Sequence, residues 1–383
     1  MDLTFIFIFL NFVFFTLSQL VSISKDSGLN IYFFDIFLVF TNIFLFVKLV
    51  KRGKFILNFP LLVFSLFFIF SLVFTFFQIY FFSFIEQIKI QSYLFRFSGY
   101  FFFGYLMFLS LRYELLSLEK LKVVLINNFY LLTFLNIIQM IFFNDLTNLA
   151  QFGWDPHIGR LTGTFLDPNF MAFYLCLYFL LNNFVLKNKY IEYISIFSIF
   201  LTLSRNGILT FLIVYLLINY KNLFKLAAIL FVSLLIIFIN PRIIERFIQF
   251  SDSNDSSYLR IISWTEALDL FSFNNYSGIG FNNYRNSLEL YRISDLSNLS
   301  RNSSNSTDSS FLLVFVTLGG VGFILIVLLF IGFVLPGKFV YFNFLIVLSL
   351  MFNSLFINSL FYPQISILIF VSLFLGIYLK NTD

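Results

Sequence analysis

Runs of Phe, Leu and Ile, each about as long as a bilayer is thick, fill this chain on both sides of one polar stretch at 240–309. Such a run has few options. In hydrocarbon an unpaired backbone N–H or C=O costs several kcal/mol, so only helices and closed barrels span a membrane. The runs are continuous and do not alternate, which excludes a transmembrane β-barrel. The chain is 60% hydrophobic and only 11% charged, a balance no soluble domain of this length sustains. The expected fold class is an all-α polytopic membrane protein of about 12 transmembrane helices, with one large external loop carrying an amphipathic helix.

The spans fall near 2–22, 31–50, 55–77, 95–111, 122–143, 168–186, 190–203, 207–220, 223–239, 310–335, 339–357 and 362–379. They divide the chain into an N-terminal bundle (1–239), the polar loop (240–309) and a C-terminal bundle (310–383). The first run lacks a basic leader and a small-residue cleavage site, so it is read as a retained span. The seventh and eighth runs are short and meet at Leu203-Ser204-Arg205-Asn206-Gly207. Such a polar break is tolerated where it is buried in protein or lines a wet cavity.

The cations set the orientation. With both termini in the cytoplasm, 13 of the 24 Lys and Arg fall inside, and every non-terminal internal connection carries at least one. Eleven of those 13 are Lys, whereas nine of the 11 outside are Arg. A lysine orients a helix as a point charge; an arginine grips phosphate or carboxylate with a planar fork. The external side is therefore expected to handle an anion. One Cys (Cys176) and one His (His157) support neither an intramolecular disulfide nor a His- or Cys-rich metal site, so no metal and no cofactor are expected. The net charge of +5 is a topology signal, and no nucleic-acid partner is expected.

Four constellations could carry chemistry. In Gly159-Arg160-Leu161-Thr162-Gly163-Thr164-Phe165-Leu166-Asp167-Pro168-Asn169, Asp167 and Pro168 are explained as a helix cap and first turn. Arg160 beside glycine is suited to bringing a guanidinium and backbone N–H groups to an anion. In Ser204-Arg205-Asn206-Gly207, an arginine between apolar segments either faces a substrate or snorkels to the interface. The third joins an amphipathic helix over Tyr258–Phe271, carrying Arg260, Trp264 and Glu266, to the turn Ser277-Gly278-Ile279-Gly280, where backbone could approach a ligand or simply turn. Leu259, Ile262, Ala267 and Leu270 share that helix's apolar face. In the fourth, Asp308 precedes the tenth span as an N-cap or a base, and Gly319, Gly320 and Gly322 follow as packing positions. Trp264, Tyr276, Tyr284 and Tyr291 read equally as sugar-stacking rings and as interfacial anchors.

This order of motifs resembles the O-antigen polymerase and ligase superfamily of bacterial envelope glycan assembly. The resemblance rests on GRLTGTFLDPNFMA (159–172), LTLSRNG (201–207), YLRIISW (258–264), SGIGFNNY (277–284) and TDSSFLLVFVTLGGVG (307–322). It implies that Arg160, Arg205 and Arg260 hold the diphosphate of a polyprenyl-linked glycan, with Asn169, Gly278, Gly280 and Trp264 completing the substrate-binding set. Asp308, Arg205 and Arg260 are the expected catalytic residues. The ligase branch places a His before the tenth helix; here Asp308 stands near that position and the long loop has no His. The resemblance therefore implies a polymerase of the inner membrane, with a ligase or a glycan transporter as alternatives. The implied partners are the lipid-linked oligosaccharide, the bilayer and a chain-length regulator protein.

Overall fold

Helices form over the apolar runs, and their ends are set by caps. In the structure, a computed structural model, the described residues are 2–24, 31–53, 55–152, 155–222, 224–227, 256–274, 276–291, 293, 306–335 and 340–380. All but four residues of the ninth expected span lie outside them, as do Arg242, Arg246, Arg292 and Arg301. The first five helices are α1 (Leu3–Leu17), α2 (Phe33–Val50), α3 (Phe59–Ile79), α4 (Phe84–Arg112) and α5 (Leu118–Phe142). A short antiparallel pair, β1 (Ser22–Ser24) and β2 (Ile31–Tyr32), lies between α1 and α2. Then come α6 (Pro168–Leu181), extended to Leu186 by a π turn, α7 (Lys189–Leu201) and α8 (Arg205–Asn219). The polar loop contributes α9 (Ser256–Phe273) and α10 (Tyr284–Tyr291), and the chain closes with α11 (Ser310–Val334), α12 (Val340–Ser354) and α13 (Pro363–Lys380). Six of these segments are long and apolar enough to cross a bilayer: α2, α3, α4, α5, α6 with its π turn, and α11. The chain is an all-α membrane protein.

The largest boundary difference is in α4, which starts at Phe84 rather than near residue 95. Ser83 and Glu86 form a reciprocal capping box: the Glu86 amide donates to Ser83 Oγ (3.4 Å), and the Ser83 amide to Glu86 Oε2 (3.2 Å). The polar residues Glu86, Gln87, Lys89 and Gln91 hide this first third from a hydropathy scan while leaving its helix propensity intact.

The waist of the bundle is built from phenylalanine around one close backbone approach. A Cβ on Gly104 of α4 would sit 2.8 Å from the backbone carbon of Phe370 in α13. Small residues at such crossings let helices pack without a hydrophobic drive, lipid being as apolar as protein. Phe64 and Phe101 stack at 3.7 Å between centroids, and Phe101, Phe370, Phe374 and Phe333 close the seam. Nearer the loop end, Arg96 and Asp35 form a partly buried pair: Nη2 is 2.7 Å from Oδ2, and Nε donates to Oδ1 at 3.0 Å. The Tyr100 hydroxyl donates to Oδ1 (2.8 Å) and the Tyr32 amide to Oδ2 (3.0 Å).

The polar loop packs onto α11. Ala267 and Leu270 of α9 are fully buried with Ile279, Tyr284, Leu288 and Val316, whereas Leu259, expected on the same face, is exposed. α11 is broken at Gly319 (φ 66°, ψ −169°). Into that break runs the 277–281 turn: the Ile279 amide donates to Val316 O (3.3 Å) and the Gly280 amide to Thr317 O (2.7 Å). A break frees carbonyls that would otherwise be orphaned at membrane depth, and these amides satisfy them. A Cβ on Gly278 would lie 2.8 Å from Gly319 N, and one on Gly319 2.7 Å from Ser277 O, so both positions need glycine. Gly319 thus serves loop docking rather than the helix–helix packing expected of it. The Phe281 amide donates to Thr75 Oγ1 (2.8 Å), tying the same turn to α3.

Candidate functional site

Three helices begin at the same end of the bundle. Asp167 caps α6, its Oδ1 accepting from the amides of Asn169 (2.7 Å) and Phe170 (3.4 Å). Ser204 caps α8, its Oγ accepting from the Gly207 amide (3.2 Å) and donating to Asn169 Oδ1 (2.6 Å). One hydroxyl therefore joins two helix N-termini. Their approach is close, since a Cβ on Gly207 would lie 2.2 Å from the Cβ of Ala172. The third N-terminus is that of α11, capped by Ser309. The turn after α12 links it to α8: Asn206 Nδ2 donates to Asn353 O (3.2 Å), Ser310 Oγ to Ile357 O (3.4 Å), and the Leu360 amide to Ser310 Oγ (3.0 Å). Helix N-termini carry partial positive charge and unfilled N–H groups, so their convergence suits an anion.

Both chain segments entering this region are strained. Leu166 and Leu203 have φ of 58° and 50°, each one residue before a cap. A left-handed leucine costs on the order of 1–2 kcal/mol, so surrounding contacts must hold it.

The arginines take different places. Arg160 is buried; its Nε donates to Thr202 O (2.9 Å), Nη2 to Leu203 O (3.4 Å), and Nη1 lies 3.5 Å from His157 Nδ1. Arg205 is the first residue of α8 and half-buried. Arg260, half-buried on α9, acts on the carboxyls of Asp308 and Asp167. The Asp308 amide donates to Ser263 Oγ (3.2 Å), which fixes the residue against α9. Burial pushes the Asp308 carboxyl up to about 6; Arg260 opposes that shift, and Asp155 and Asp167 add to it. Asp167 is raised too, by burial, against the pull of the Asn169 amide and Arg160.

The expected set thus divides. Asp308, Arg260, Arg160, Arg205 and Asn169 meet at the convergent N-termini. Trp264 lies beside them, its ring centroid 6.3 Å from that of Phe356 and its indole Nε1 buried with no hydrogen-bond partner among the described residues. Gly278 and Gly280 sit further along α11, where their close approach is to the Gly319 break and to α3. Tyr284 is buried and donates to Ser263 O (3.4 Å), while Tyr276 and Tyr291 are exposed.

Two contributors escape a motif search. Gln139, buried in the last turn of α5, accepts from the Thr162 and Gly163 amides (3.0 and 3.2 Å) and donates to Arg160 O (3.3 Å). Tyr362 donates to Phe165 O (3.0 Å) and stacks on Phe170 at 4.0 Å. The available signal was an amide near the end of an apolar run that also carries Asn128 and Asn136, polar groups that in a span are usually functional or structural glue.

The family described as O-antigen ligase matches residues 193–327, from α7 through the break in α11. It is a family of glycosyl-transferring membrane enzymes of O-antigen assembly. No curated protein matches the chain. The stretch that carries α8, α9 and Asp308 is thus similar to the O-antigen ligase family, consistent with the O-antigen polymerase and ligase superfamily, in a chain with several helices apolar enough to span a membrane.

Proposed function

We propose that the chain is a polysaccharide polymerase, moving a growing glycan from polyprenyl diphosphate onto a lipid-linked repeat unit at the outer face of the bacterial inner membrane, with both termini cytoplasmic. A hydroxyl oxygen of the acceptor sugar bonds to the donor's anomeric carbon as the bond from that carbon to the diphosphate oxygen breaks. The hydroxyl proton goes to Asp308, and polyprenyl diphosphate leaves. The observation that carries this reading is a buried carboxyl raised to about 6 beside Arg260, where three helix N-termini converge. A base of that strength is mostly ionised at neutral pH and still accepts a proton, contributing on the order of 10²–10⁴-fold. Arg205 and Arg260 stabilise the charge gathering on the departing diphosphate, roughly 2–4 kcal/mol for each donor removed.

Polymerase is favoured over ligase because an acidic residue stands where the ligase branch places His. The single histidine, His157, belongs to the other loop and lies against Arg160. A chain-length regulator is the expected protein partner. The test is glycan length in a deletion strain complemented with wild type or Asp308→Ala, with membrane abundance checked. Collapse from a ladder to a single attached repeat, restored by wild type alone, supports polymerisation. Loss of all attached glycan with accumulation of lipid-linked polymer would instead establish a ligase, and an unchanged ladder in the deletion strain would defeat both.

A further inference from the structure

Arg160 has the sequence context of a phosphate-gripping arginine, yet its guanidinium is turned into the protein. Nε and Nη2 are spent on the carbonyls of Thr202 and Leu203, the two residues before the α8 cap. Those carbonyls end α7, where a cation is favourably placed against the helix dipole. Leu203 is held in the left-handed region at φ 50°, so this turn does not keep its shape unaided. The backbone of Arg160 is held in turn. Gln139 donates to Arg160 O and accepts from the Thr162 and Gly163 amides, and the Leu161 amide donates to Leu201 O (3.0 Å). A continuous path therefore runs from Gln139 to the 160–163 backbone, through the Arg160 guanidinium to the strained 202–203 turn, and on to Ser204 and Arg205.

We propose that Gln139 and Arg160 are positioning residues: they lock the Thr202–Ser204 turn so that Arg205 is presented at the head of α8, and Arg160 does not itself bind the diphosphate. The proposal rests on the polymerase reading above. Its chemistry is that of pre-organisation. A guanidinium displaced by about 1 Å from a developing charge loses much of its effect, up to 10²-fold in rate. A fork bridging two successive carbonyls of a strained turn is a task for arginine, since lysine offers one compact charge without the planar geometry.

A mutant cycle distinguishes holding the turn from touching the substrate. Membranes containing each variant would be assayed with the lipid-linked repeat for kcat and donor KM, and for inhibition by added polyprenyl diphosphate. Membrane abundance and thermal unfolding would be followed alongside. Arg160→Lys and Gln139→Leu are each expected to weaken inhibition and raise donor KM by about tenfold. The double variant should be no worse than Arg160→Lys alone, because both changes interrupt one path. Leu203→Gly, which takes the left-handed conformation without strain, should recover most of the loss in the Arg160→Lys background. Should Arg160→Lys fail to accumulate, Gln139→Leu with and without Leu203→Gly makes the same comparison. Multiplying losses in the double variant, together with no recovery by Leu203→Gly, would overturn the proposal and place Arg160 on the diphosphate. Wild-type membranes that do not elongate the lipid-linked repeat would defeat the polymerase reading itself, and the positioning role with it.

Discussion

Two arginines, Arg96 partly buried and Arg160 buried, show what this chain does with a costly charge. Arg96 is closed: both oxygens of Asp35 meet its guanidinium, Tyr100 shares the same carboxylate, and the Tyr32 ring lies 4.8 Å beneath it. Arg160 spends its fork on main-chain carbonyls of a strained turn. The first arrangement neutralises itself and joins α2 to α4. The second holds a segment in a shape it would otherwise leave, beside helix N-termini and a carboxyl whose pKa is raised. The difference teaches that the turn before α8 has exchanged stability for geometry, while the α2–α4 contact has not.

The sharpest way to break this contrast is at Asp308. Asp308→Asn should lower the polymerisation rate on the order of 10²–10⁴-fold. It should also raise thermal stability at neutral pH. The folded carboxyl is raised to about 6, so its contribution to stability is fully present below the unfolded value of about 3.9 and is lost as pH rises through 6. Asparagine has no such loss. Melting temperatures of the two proteins should coincide below about pH 4, separate between about pH 4 and 6 and stay apart at higher pH, and wild-type activity should fall below about pH 6. Curves that stay parallel throughout would show that Asp308 is not a desolvated carboxylate.

At Arg96 the opposite is expected. Asp35→Ala leaves a partly buried guanidinium without its carboxylate, at up to roughly 3–5 kcal/mol, so the protein should fall in abundance in the membrane fraction. Replacing both partners, Asp35→Leu with Arg96→Leu, should restore abundance and leave a normal glycan ladder. Arg205→Ala sharpens the contrast from the other side. It should cost roughly 2–4 kcal/mol of transition-state stabilisation with an unchanged melting temperature, read as a lost ladder at normal abundance. The smallest effect belongs to Ser204→Ala, which removes the α8 cap and the bond to Asn169. About 1 kcal/mol of stability should go, with a modest rise in donor KM.

Much of this was legible in the sequence because hydrocarbon leaves the backbone few options. The apolar runs located the helices, Asp167-Pro168 marked where α6 begins, and the polar break at 203–207 separated α7 from α8, which starts two residues before the expected 207. The α9 helix showed in the spacing of Ala267 and Leu270. What stayed hidden depended on contacts between distant segments. Nothing local to Gln139 announces that its amide serves residues 160–163, and Gly278 reads as a ligand turn until Gly319 is seen opposite it. The turn at 353–360 carries no motif, yet it ties α8 to α11. The contacts of Arg160 were hidden for the same reason: its neighbours suggested an anion, and the carbonyls its guanidinium meets lie some forty residues away.

The clasp between the 277–281 turn and the break in α11 bears on modularity. Because the loop's amides complete a helix that belongs to the membrane bundle, and Phe281 is fastened to Thr75 of α3, the loop is not a detachable cap. Exchanging residues 256–293 for those of a relative with another sugar specificity would transplant one face of a seam without its mate. A working chimera has to carry the start of α11 and the end of α3 along with the loop, since the three meet as one interlocked unit.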